Sequence, residues 1–179
     1  MRVRLRCDRG FGLIELLMAI VMLNIGILAI VAAFNAGMFA LKRASRISTG
    51  SALADAQMEL YRALPYCSIG LDSSTIPGTS PYTTDSAFSA TQVTTKCDGS
   101  AITCSGSPND CNASRTQTGA DRKRYRVDTY VVMSTASTTP ATPPNGRAVK
   151  IVTVVVRDAA ALTARPFARV TSTFDQSTG

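Results

Sequence analysis

From Leu16 to Leu41 this chain runs 26 residues without a charged side chain, and that run limits everything else the sequence can do. As a helix rising 1.5 Å per residue it reaches roughly 39 Å, against a hydrocarbon core of about 30 Å. It is therefore long enough to span a bilayer. Met1 to Arg9 in front of it carries Arg2, Arg4, Arg6 and Arg9 against Asp8, a flank that the positive-inside rule keeps in the cytoplasm while the rest crosses. A cleaved secretory signal is the competing reading, but its apolar core is usually about 7–15 residues, far shorter than this run.

Glu15 stands one turn into the segment, where an unpaired carboxylate is costly to bury. Two readings follow: it meets a partner cation, or it sits at the headgroup level with its charge in water. Asn24 and Asn35 are eleven residues apart, as are Gly26 and Gly37, so each pair falls on nearly the same helix face. Small and polar residues repeated on one face suit close helix packing in lipid, although single Asn and Gly residues are also tolerated in long membrane helices.

The leader ending in Gly10, followed by Phe11-Gly12-Leu13-Ile14-Glu15-Leu16-Leu17, resembles the class III signal of type IV pilins and type II secretion pseudopilins. Leu23-Asn24-Ile25-Gly26-Ile27-Leu28 further resembles the PilV/GspI-type minor members. The resemblance implies cleavage between Gly10 and Phe11 by a prepilin peptidase that also methylates the new amino group of Phe11. It implies that Glu15 pairs with the free N-terminus of a neighbouring subunit during assembly. Residue 12 is often Thr or Ser in that family and is Gly12 here. The helix-breaking proline of many major pilins has no counterpart between Phe11 and Leu41.

The rest of the sequence is consistent with cargo for such a helix. Lys42, Arg43 and Arg46 mark emergence from the bilayer, and Ile47, Leu53, Ala54, Met58, Leu60, Tyr61 and Leu64 form an apolar stripe at helical spacing as far as Pro65. Gly50 interrupts that stripe and weakens the expectation of one unbroken rod. Residues 66–122 are rich in Ser, Thr, Gly, Pro and Asp, read as loop, and hold four of the five cysteines. Loss of the leader removes Cys7 and leaves Cys67, Cys97, Cys104 and Cys111, an even set that suits disulfides on the oxidising side of a membrane. Four cysteines allow three pairings, and sequence-near partners, Cys67 with Cys97 and Cys104 with Cys111, need the least additional fold. A zinc site is disfavoured because Cys97, Cys104 and Cys111 are each separated by six residues rather than the usual two to four.

Period-two alternation begins at Arg124, with Tyr125, Val127, Thr129, Val131 and Met133 on one face of a half-buried strand. Ala148 to Arg157 is a second, valine-rich strand covered on both faces, and a third runs from about Phe167 to Phe174. The expected fold is α+β and pilin-like: a long N-terminal helix packed on an antiparallel sheet of about three strands. Its expected divisions are a cleaved leader 1–10, a transmembrane and assembly helix 11–41, and an extracytoplasmic head 42–179, in which 42–64 is amphipathic helix, 65–122 stapled loop and 123–179 sheet.

Histidine is absent, so no imidazole base, nucleophile or metal ligand exists. No Gly-rich phosphate loop or Asp-rich calcium loop is present, no cofactor is implied, and the expectation is a non-enzyme. Net charge is +7, of which the leader supplies +3, and the scattered remainder is no nucleic-acid signature. The resemblance implies a minor pilin-like structural subunit, starting in the inner membrane with its N-terminus inside and ending in a cell-surface pilus. Its partners would be the prepilin peptidase/N-methyltransferase, other pilins and, before assembly, the membrane. The alternatives are a type II secretion pseudopilin and an unprocessed single-pass protein displaying a binding domain.

Overall fold

A computed structural model describes residues 12–104, 111–135 and 148–176. Among them is one long helix, α1 (Leu13–Arg62), and a four-stranded antiparallel sheet in the order β1 (Ser114–Thr118), β2 (Arg124–Thr135), β3 (Ala148–Asp158) and β4 (Ala168–Asp175). The chain forms two compact units, an N-terminal one ending at Ala44 and a head beginning at Ser45.

In the head, the register makes the sheet's two faces unequal in chemistry. Tyr125 lies opposite Asp158, Val127 opposite Val156, Thr129 opposite Val154 and Val131 opposite Val152, so one face is a block of aromatic and branched side chains. Residues from Ser45 onward of α1 cover it with Ala54, Met58 and Tyr61, all fully buried in the same core as those valines. Gly50 does not break the helix. A Cβ there would lie 2.8 Å from the Cβ of Phe167, so glycine is what lets the helix approach the start of β4. The expected stripe is otherwise displaced at its ends: Ile47 is 41% exposed, while the unanticipated Gln57 is 1% exposed.

The opposite face is covered too, which corrects the half-buried reading of β2. Asp128 and Tyr130 are both fully buried. The segment expected to be only stapled loop supplies that cover. Tyr82 stacks on Tyr130 with ring centroids 4.4 Å apart, donates its hydroxyl to the Thr129 carbonyl at 2.7 Å, and meets Phe88 edge-on at 5.9 Å. Ile69, Leu71, Val93 and Ile102 from the same segment are buried as well.

The strand count is also corrected from about three to four. β1, with the sequence Ser-Arg-Thr-Gln-Thr, has no large apolar residue to mark it, and it forms by pairing Ser114 to Thr118 against Asp128 to Arg124. Farther along β2, Gln92 bridges to Val132, and the Val93 N–H donates to the Val131 carbonyl at 2.8 Å. The β2 edge is thus paired first by β1 and then by this short segment, which limits its exposure to stray strand pairing.

Candidate functional site: the N-terminal segment

The helical register at the N-terminus starts with the Gly12 carbonyl, which accepts from the Glu15 N–H at 2.9 Å and the Leu16 N–H at 3.2 Å. Glu15 therefore lies in the first turn of α1, where a carboxylate also complements the positive end of the helix dipole. Gly10 and Phe11, the expected processing pair, lie outside the described residues, as does Cys7. The structure accordingly places Glu15 and leaves the residues it would act with to the sequence.

From Leu13 to Leu41 the helix has a mean hydropathy and length sufficient to cross a membrane. Its large apolar side chains are exposed: Leu13 is 78% exposed, Phe34 73% and Phe39 72%. A Cβ built on Gly26 or Gly37 meets nothing within 4 Å, so neither glycine is required by packing inside the chain. Exposed apolar surface of this extent marks a contact with lipid or another protein rather than a soluble face.

The cysteines are where near-neighbour pairing placed them. Cys67 joins Cys97 and Cys104 joins Cys111. Asp72 gathers the second staple. Its backbone N–H donates to the Cys111 carbonyl at 2.9 Å, and its Oδ2 accepts the Cys104 N–H at 3.1 Å. The Ser74 hydroxyl, the Cys104 N–H and the Ser74 N–H all hold the Asp72 carboxyl below the usual range.

Two polar groups that sequence reading did not single out organise the head. Arg157, with a side chain 5% exposed, binds Asp85 through Nη2 and Asp128 through Nη1, the latter at 2.6 Å. Arg126 reaches Asp128 at 2.8 Å and Arg169 reaches Asp85 at 2.7 Å, so two carboxylates share three guanidinium groups. Burial pushes the Asp85 carboxyl up, but the Ala87 N–H and the Arg169 and Arg157 guanidinium groups outweigh it and hold the group below its ordinary value. Lys150, 2% exposed, donates from Nζ to the carbonyls of Tyr66 at 2.9 Å and Ile69 at 2.7 Å. Burial lowers its pKa. The only sequence signal for either group is a charge inside an apolar strand: Asp128 within β2, Lys150 and Arg157 at the ends of the valine run.

This polar chemistry is structural. Asp85, Asp128, Arg157 and Lys150 all have partners within the chain, and among the described residues no group of three or more Cys, Asp or Glu side chains is placed to hold a metal ion.

Residues 5–32 match the family model for the prokaryotic N-terminal methylation motif. No curated protein matches the chain significantly, and no solved structure does. The matched segment contains Gly10, Phe11 and Glu15, and it supports a prepilin-type signal of the kind found in type IV pilins and pseudopilins, a family of structural rather than catalytic proteins.

Proposed function

We propose that this protein is a minor pilin-like structural subunit, cut between Gly10 and Phe11, methylated at Phe11, and assembled through α1 into a type IV pilus or its priming complex. The observation that carries the proposal is the methylation motif over 5–32, running directly into an apolar helix whose large side chains stand exposed. The proposed sequence of events begins with the chain held in the inner membrane by residues 11–41, N-terminus inside and head outside. Cleavage then creates a charged amine at Phe11. In a growing fibre Glu15 of one subunit neutralises the amine of another, turning the cost of burying a carboxylate into a signal for docking and register.

Gly26 and Gly37, with open space where their side chains would be, permit close approach of neighbouring helices in that fibre. The two disulfides and the Asp72 clamp fit life outside the cytoplasm. A pseudopilin of type II secretion would use the same processing and the same helix. Linkage of its gene to a secretin-containing secretion operon would favour that variant, and a cluster of other minor pilins the pilus.

Glu15→Val tests the assembly step: the variant is expected to insert and be processed but to enter sheared fibres at a small fraction of the native level. Native-level incorporation of Glu15→Val would overturn the pairing role.

A further inference from the structure

The head carries a cationic cluster drawn from two places far apart in sequence. Arg46 follows Leu41 by five residues, a rise of about 7.5 Å in an α-helix. Beside it lies the turn between β1 and β2. Gly119 packs so closely on the helix that a Cβ there would lie 2.5 Å from the Thr49 side chain and 2.7 Å from Tyr125. Arg122 occupies a left-handed backbone conformation with φ of 60°, and its N–H donates to the Gly119 carbonyl at 3.0 Å. The turn is thereby pinned against the helix at Thr49, and it carries Arg122, Lys123 and Arg124, all exposed.

Arg46, Lys123 and Arg124 line one open cleft of about 330 Å³ together with Thr116, Tyr125 and Phe167. Two carboxylates stand among these four cations, and both are engaged. Asp158 also lines the cleft and is held by Nη1 of Arg46 at 3.2 Å. Asp121 accepts the Tyr125 hydroxyl at 2.7 Å and the Lys123 N–H at 3.1 Å. Among the described residues, Arg122, Lys123 and Arg124 take part in no ion pair.

We propose that Arg46, Arg122, Lys123 and Arg124 form a docking surface for the phosphate groups of anionic phospholipids in the outer leaflet of the membrane that the helix spans. This rests on the membrane-spanning reading proposed above. Lysine and arginine next to a membrane helix are favoured on the cytoplasmic side, so a cationic cluster on the opposite flank runs against the ordinary bias and calls for a ligand of its own. Clusters of about 4–8 Lys/Arg on the cytoplasmic flank of a membrane helix bind anionic headgroups, and the same attraction acts on the opposite flank where that leaflet carries anionic phospholipid; here the fold adds the turn's three cations to Arg46. A second copy of the chain fits less well. The exposed carboxylates of α1 within the head, Asp55 and Glu59, are two against four cations, and Glu59 is already paired with Arg62.

The test uses the full chain in lipid nanodiscs containing spin-labelled phosphatidylglycerol or spin-labelled phosphatidylcholine, with motionally restricted lipid as the readout. The expected result is a preference for phosphatidylglycerol that weakens in high salt and falls about fivefold for each of Lys123→Gln and Arg124→Gln, the scale of one surface cation. Both side chains are exposed, and unchanged thermal unfolding of each variant shows that the head is intact. An unchanged preference in both variants overturns the proposal. So does its abolition by millimolar inorganic phosphate, which identifies a free-anion site. Self-association in phosphatidylcholine discs that the variants abolish also overturns it, in favour of a second copy. A chain that fails to enter nanodiscs of either lipid refutes the membrane reading itself, whereas insertion without preference refutes only the lipid contact.

Discussion

The N-terminal half of α1 and the head are built on opposite principles. Between Leu13 and Leu41 the large side chains are apolar and exposed, and the one carboxylate, Glu15, stands at the start. In the head a set of charges lies inside the fold, with Asp85, Asp128, Lys150 and Arg157 each satisfied by atoms of the same chain. The first region postpones its partners to another environment, and the interior of the second supplies its own. Substitutions should therefore separate cleanly: those at buried positions of the head change folding stability, and those in the N-terminal segment change what the folded chain can join.

The largest expected effect is Arg157→Met. Removing the guanidinium leaves Asp128 with Arg126 and Asp85 with the part-exposed Arg169, two carboxylates with one guanidinium fewer between them, and breaking a buried ionic cluster by deleting one partner costs about 3–5 kcal/mol. Urea denaturation of the oxidised protein measures it, and a loss below about 1 kcal/mol, the scale of exposed pairs, would mean that the cluster is solvated and the contrast weaker than drawn.

A paired substitution sharpens the comparison at glycine. Gly50→Ala pushes a methyl into Phe167 and should cost about 1–3 kcal/mol of head stability, the usual penalty for overpacking. Gly37→Ala meets open space and should leave head stability unchanged, while lowering the amount of protein recovered in fibres. Equal stability losses from the two would erase the distinction.

The smallest effect is in pH dependence. The Asp85 carboxyl titrates below its unfolded value, so the stability it contributes is present above about pH 4 and is lost as pH falls through the depressed folded value. Thermal unfolding should therefore decline in the acid range below about pH 4 and decline less steeply in Asp85→Asn. Identical acid profiles would assign the acid sensitivity to other carboxylates.

The same contrast explains which parts of the molecule could be read from sequence. The apolar run, the two valine-bearing strands and the later strand at Ala168–Asp175 are written in their side-chain patterns, although the alternation in β2 shows only one of its two buried faces. The near-neighbour cysteine pairs follow from chain proximity. β1 was illegible because Ser114 to Thr118 is polar throughout and its strand state comes from pairing with β2, not from its own pattern. The second face of the sheet was hidden for a related reason. Tyr82 is a single aromatic in a Ser/Thr-rich stretch, and only the fold brings it onto Tyr130, 48 residues away. Gln57, Lys150 and Arg157 were missed because polarity argues for the surface, while their burial depends on partners that sequence separation conceals. Gly50 reads locally as a helix breaker, whereas its reason is the neighbouring Phe167.

The central claim is that the N-terminal segment is an assembly element completed by processing. The mass of the N-terminal peptide from protein recovered in cells with an active prepilin peptidase tests it most directly. The account predicts a chain beginning at N-methylated Phe11, with Met1 to Gly10 lost. A mature chain that still begins at Met1 would contradict it.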